Sequence, residues 1–77
     1  MNKKEFVMRI KSLRNQLGLS QKIIAEELNI ALRTYEYYET EKSTNIPEYK
    51  NLIKLSNFFN CSVDYLLCLT DNPIRNL

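Results

Sequence analysis

Arg33, Glu36, Tyr37 and Thr40 fall on one arc of a helical wheel, with Leu32 at the border of that arc, and the chemistry open to them is recognition. Arg33 carries a planar fork of donors that can grip two acceptors at once, Glu36 when ionised only accepts, and Tyr37 offers a flat ring with a polar tip. Just beyond, Lys42 and Ser43 add a point charge and a short hydroxyl. Covalent catalysis has no comparable set of parts. The chain has no histidine and one glycine, so it lacks a general base of the usual kind and a glycine-rich phosphate loop, and no paired carboxylates mark a cleft; it reads as no enzyme. Cys61 and Cys68 have no CxxC spacing and no histidine to complete a metal site, and read as reduced, small apolar residues. No metal, cofactor or small-molecule substrate is expected. A polar helix face is ordinarily just solvated, so the arc gains meaning only from the element that carries it.

That element is the stretch from Ser20 to Glu39, which reads as two short helices joined by a tight turn. Ser20 is a good N-cap for a helix over Gln21–Leu28, in which Ile24, Ala25 and Leu28 recur at helical spacing. Asn29 tolerates the left-handed conformation that ends a helix abruptly, and Ile30 is apolar enough to be buried after it. A second helix, about Ala31–Glu39, follows at once. The small side chain of Ala25 lets the two helices approach closely. At ~100° per residue, Tyr35 and Tyr38 face inward, Glu39 lies beside Tyr35 at the edge of the core, and Arg33, Glu36, Tyr37 and Thr40 face the other way. Gln21 and Lys22 stand at the mouth of the first helix.

This stretch resembles the helix-turn-helix of the Cro/repressor-like, Xre-type family of DNA-binding regulators. Leu17-Gly18-Leu19-Ser20-Gln21 is similar to the family's first-helix exit and second-helix entry, Tyr38-Glu39 to the end of its recognition helix, and Ser62-Val63-Asp64-Tyr65-Leu66-Leu67 to its fifth-helix signature. Together these span roughly residues 9–73. Asn29 stands where the family usually has glycine, Ala31 where it usually has a serine or threonine cap, and the loop from Thr40 to Ile46 is slightly longer than usual. The resemblance implies an all-α fold: a compact five-helix, lambda-repressor-like DNA-binding domain over residues 1–69, its helix-turn-helix at helices 2 and 3, with residues 70–77 as a C-terminal tail.

It also implies a sequence-specific regulator of transcription, a prokaryotic or phage repressor that reads the major groove of double-stranded operator DNA with its third helix. Arg33 then contacts a base, since its fork can bond two acceptors on guanine; Leu32 and Tyr37 suit a thymine methyl, with a phosphate as the other option for Tyr37; Glu36 accepts from cytosine or holds Arg33. Thr40, Lys42 and Ser43 lie where phosphates run, although their loop could equally be an ordinary solvated connection. By resemblance, Gln21 corresponds to the family's backbone-contacting glutamine, and the family's interhelical Arg–Glu pair falls on Arg14 and Glu39. The family commonly meets a second copy through the end of its fifth helix, which places Tyr65, Leu66 and Leu69 at a homodimer interface. The rival reading keeps the fold without DNA: a protein-interaction module, such as an antitoxin or anti-repressor subunit, using Tyr37, Tyr49 and the apolar fifth helix.

Length and composition agree with one small folded domain. Its 77 residues are 44% hydrophobic and 26% charged, and two prolines and the one glycine leave little reason to expect sheet. The net charge of +2 is too small to have suggested nucleic acid by itself. No apolar run is long enough to span a bilayer, and the apolar trio Phe6-Val7-Met8 is too short for a signal peptide, so a cytoplasmic location is expected. Asn2-Lys3-Lys4-Glu5 reads as a capping box opening a first helix, with Phe6, Ile10, Leu13 and Leu17 as its apolar stripe and Gly18 as its left-handed end. Arg14 lies about 40° off that stripe, where its stem is half buried and its guanidinium needs a carboxylate. Pro47 opens a fourth helix, roughly Glu48–Phe59, with Leu52, Leu55 and Phe59 inward and Asn60 as its exit. Ser62 caps a fifth whose apolar residues, running to Leu69, cannot all face one core. A second copy could cover the remainder, or the tail could fold back with Ile74 or Leu77 packing down.

Overall fold

Five helices are found among the residues the computed structural model describes, 2–75, and no strands: α1 Lys3–Leu17, α2 Gln21–Glu27, α3 Leu32–Tyr38, α4 Tyr49–Phe59 and α5 Val63–Leu66. Their ends follow local chemistry. The Asn2 side chain accepts from the Lys4 N–H at 2.8 Å, opening α1, and Gly18 at φ +67° closes it. Ser20 accepts from the Ile23 N–H at 3.2 Å, and Ser62 from the Tyr65 N–H at 3.0 Å. Asn29 and Asn60 take the left-handed conformation at φ +54° and +52°. After α2 the Ile30 N–H reaches back to Ala25 O at 2.9 Å, which satisfies a carbonyl the helix leaves open and sets the turn into α3. Leu28, Ala31, Glu39 and Glu48 are caps rather than helical residues, so α2, α3 and α4 are each slightly shorter than their periodicity predicts. Ala31 makes no side-chain cap bond.

One core joins the elements. Phe6 and Ile10 of α1, Ile24, Ala25 and Leu28 of the α2 segment, Tyr35 and Tyr38 of α3, Leu52 and Leu55 of α4, Cys61 and Leu66 are all buried in it, with Phe59 packed against its margin. Burial pushes the Cys61 thiol pKa up, and both cysteines are free. Two features of α1 depart from the expected stripe. Leu17 is 52% exposed, because α1 runs past the elements that cover it and Leu19, beyond the turn, packs on the core instead. Val7 is buried, because α5 lies alongside α1 and widens the covered arc.

The fifth helix is the largest correction. It ends at Leu66, and Cys68 takes φ +61°, allowing the Leu69 N–H to reach Asp64 O at 2.9 Å. Leu66, expected to face a second copy, is fully buried: the short helix turns it into the core and brings Val63, Tyr65 and Leu67 against the core's edge. The tail does return over the domain, but through polar contacts: the Ser62 N–H donates to Pro73 O at 3.1 Å and Arg75 to Asn57 Oδ1 at 2.6 Å. Ile74 stays exposed, and Leu77 lies outside the described residues. A left-handed cysteine carries steric strain of about 1–2 kcal/mol that glycine would not, offset by glycine's greater entropy loss of about 0.5–1 kcal/mol. Cys68→Gly is therefore expected to raise the thermal midpoint by a few degrees, measured by calorimetry; an unchanged or lower midpoint would show that the cysteine side chain contributes more than its backbone costs.

Candidate nucleic-acid interface

The third helix is held from inside. Tyr35 and Tyr38 are buried with their rings edge to face, centroids 6.1 Å apart, and the Asn51 amide donates to Tyr38 Oη at 2.9 Å. At its end, Glu39 accepts two parallel bonds from Arg14: Nε to Oε2 at 2.8 Å and a terminal guanidinium nitrogen to Oε1 at 2.9 Å. The Arg14 side chain is 17% exposed and that of Glu39 not at all. The other terminal nitrogen of Arg14 donates to Leu19 O at 3.0 Å, so one guanidinium ties α1 to the entry of α2 and the exit of α3.

Burial alone would raise the Glu39 pKa, but the bonds from Arg14 and Gln21, the adjacent Tyr35 hydroxyl and the Arg14 charge hold it below the ordinary 4.5. Burial first, and the Glu39 carboxylate next, push the Tyr35 phenol upward, and its hydroxyl oxygen has no partner at hydrogen-bonding distance. A folded-state pKa below the unfolded value means that Glu39 contributes its stability above pH 4.5 and loses it as the pH falls through the folded value. Denaturation midpoints measured from pH 7 downward should fall in that acid window for the wild type. Glu39→Gln should start lower at neutral pH and lack that part of the decline; parallel curves for the two would remove Glu39 as a source of acid sensitivity.

With the inner face fixed, Leu32, Arg33, Glu36 and Tyr37 are exposed on the outer one, and Lys22 is exposed on α2. No ion pair joins Arg33 to Glu36 among the described residues, which leaves the Arg33 fork open. Gln21 is half-buried and its amide donates to Glu39 Oε1 at 3.1 Å, leaving one N–H for an outside acceptor. The Thr40 hydroxyl donates to Glu36 O at 2.8 Å, so its one donor is engaged within the end of α3 in this structure. In the following loop Lys42 is exposed, and Ser43 Oγ accepts from the Asn45 N–H at 3.1 Å while its hydroxyl proton stays available.

Three basic residues take parts that the sequence did not signal. Lys3 donates to the backbone carbonyls of Tyr37, Ser43 and Asn45, and burial lowers its pKa. Lys54 donates to Leu28 O at 3.0 Å, at the negative end of α2. The Arg9 guanidinium lies 3.8 Å from the centre of the Tyr65 ring and 3.2 Å from Asp71, so one face of Tyr65 is already covered. Leu69 remains 67% exposed. Backbone carbonyls have no sequence signature, so contacts to them across 26 to 42 residues could not be anticipated.

A tight two-helix turn, a buried Arg–Glu pair behind its second helix and an open arc in front define a helix-turn-helix domain. The family model described as a helix-turn-helix domain matches residues 8–72. The chain is 35% identical over 68 residues to the uncharacterized HTH-type transcriptional regulator YobD of Bacillus subtilis (strain 168), covering 88% of this chain and 59% of that protein. It is 42% identical over 59 residues to the HTH-type transcriptional regulator ImmR of the same organism, covering 77% and 45%. To the SPbeta prophage-derived uncharacterized HTH-type transcriptional regulator YonR, also of that organism, it is 40% identical over 62 residues, covering 80% and 56%. No solved structure matches the chain significantly. The chain belongs to the Xre-type helix-turn-helix regulator family. It spans about half the length of the curated relatives it matches. No described helix is long and apolar enough to cross a membrane.

Proposed function

We propose that this chain is a sequence-specific double-stranded DNA-binding regulator of transcription, acting as a repressor by occupying an operator. The observation that carries the reading is the division of α3 into two faces: Tyr35, Tyr38 and Glu39 are buried, while Leu32, Arg33, Glu36 and Tyr37 are exposed, as is Lys22 on α2. In this reading α3 enters the major groove, Arg33 bonds guanine, and Leu32 and Tyr37 meet thymine methyls. The free N–H of Gln21, together with Lys22, Lys42 and Ser43, faces phosphates. Two copies bind half-sites about one helical turn apart, with Tyr65 and Leu69 near the two-fold axis.

The relatives named as transcriptional regulators support the reading. Selection from random oligonucleotides followed by sequencing tests it: a two-fold symmetric enriched site is expected. No enrichment, or an asymmetric site holding one chain at saturation, would overturn the DNA reading or the dimer respectively. Tyr49, 77% exposed, is the observation that favours a protein partner instead. Binding to such a partner through apolar surface would be far less sensitive to salt than binding to phosphates.

A further inference from the structure

We propose that Lys3 is a positioning residue for the loop between α3 and α4, an internal strut that sets this loop against DNA without touching a phosphate itself. Its bearing on DNA rests on the reading above; its structural part does not.

Lys3 Nζ lies 3.0 Å from Tyr37 O and 2.9 Å from Ser43 O, and it also donates to Asn45 O. A lysine ammonium has three N–H donors and no acceptor, so these three carbonyls use its whole capacity. Tyr37 O belongs to the last turn of α3, at the negative end of the helix dipole, and accepts the Thr40 N–H at 3.3 Å as well. The other two carbonyls lie in the loop. One cation on the first residue of α1 thus gathers the end of α3 and two points of the loop that carries Lys42.

The loop has few other polar anchors. Among the described residues, apart from the turn at Glu41–Lys42, no backbone–backbone hydrogen bond joins residues 41–47 to the rest of the domain. Its one internal bond is the Asn45 N–H to Ser43 Oγ, and buried Pro47 holds its far end. A surface lysine beside a basic loop would ordinarily be assigned to phosphate, and Lys42, exposed and without an ion-pair partner among the described residues, fits that assignment. Lys3 does not, because its donors are already engaged.

The distinction has a thermodynamic signature. Salt dependence counts the cations that displace counterions from phosphates, so a lysine engaged within the protein adds nothing to it. Removing the strut weakens binding by letting the loop move, and leaves the salt slope as it was. Charge alone does not substitute, because the planar guanidinium fork cannot converge on three carbonyls arranged around one nitrogen.

The test compares the full chain with Lys3→Met and Lys3→Arg. Without DNA, backbone ¹⁵N order parameters of residues 41–46 are expected to fall toward the flexible range in both variants, with α2 and most of α1 unchanged. With the selected operator, both variants are expected to bind about tenfold more weakly, with the slope of log affinity against log salt unchanged. A loop as ordered in Lys3→Met as in the wild type would overturn the strut. A slope shallower by roughly one per bound copy in Lys3→Met would make Lys3 a phosphate contact after all. If wild type and variants alike select no DNA, the regulatory reading fails, and the order parameters alone decide the strut.

Discussion

Arg14→Ala is expected to destabilise the domain by about 3 kcal/mol, the low end of what breaking a buried ion pair costs, and in so small a domain that is a large share of the total. Three effects add in one direction. The Glu39 carboxylate, with no exposed side-chain surface, loses both bonds at 2.8 and 2.9 Å and keeps only the one from Gln21. Leu19 O loses its donor. The arginine stem leaves space where it was 83% covered, the complement of its 17% exposure. Glu39→Ala should cost less, since the Arg14 guanidinium keeps Leu19 O and has a path to water. Urea denaturation of both single variants and the double variant measures this: the midpoint should fall with little change in slope, and the double variant should be more stable than the sum of the singles predicts. Additive losses below about 1 kcal/mol would reduce the pair to an ordinary surface contact.

The second large effect concerns DNA. Arg33→Ala should lose about 1–3 kcal/mol per half-site against the selected operator and little against random DNA, so that specificity falls. Lys42→Ala should weaken both about equally and make the salt dependence shallower by roughly one for each lysine that touches a phosphate. The difference follows from position: Arg33 is exposed in the first turn of α3, whereas Lys42 lies beyond its end. Titrations of both variants on operator and scrambled duplex at several salt concentrations separate the two behaviours. If Arg33→Ala kept its operator preference while Lys42→Ala lost it, the reading face would be misassigned and a protein-interaction role would account for the chain better.

Much of this arrangement is legible in the sequence because it is local. Ser20, Asn29, Asn60 and Ser62 announce their backbone geometry by residue type, and the phase of Tyr35 and Tyr38 follows from helical periodicity once α3 is delimited. What escaped depended on distant neighbours or on exceptions to residue preference. The spacing of Leu17 places it on the right face of α1 but says nothing of how far the covering elements reach. Cys68 adopts a conformation that cysteine rarely announces, so the chain turns earlier than its apolar run suggests and Leu66 ends up inside. The bond of the Thr40 hydroxyl to Glu36 O follows only from the path of the helix end. Lys3, 40 and 42 residues away from its loop partners, had no partner that sequence could name.

The division of α3 into an anchored side and an open one bears on how such a protein can change over generations. Tyr35, Tyr38 and Glu39 carry the contacts that define the helix's seat, so exchanges there are paid for in folding. The side chains of Leu32, Arg33, Glu36 and Tyr37 make no ion pair or hydrogen bond to the rest of the domain among the described residues; the bonds to Tyr37 O and Glu36 O use only their backbone. These four positions can therefore drift together without unseating the helix. On the proposed DNA-reading role of this face, a duplicated copy could acquire a different target through a handful of codons, and a graft of these side chains onto a sister domain should carry its preference across.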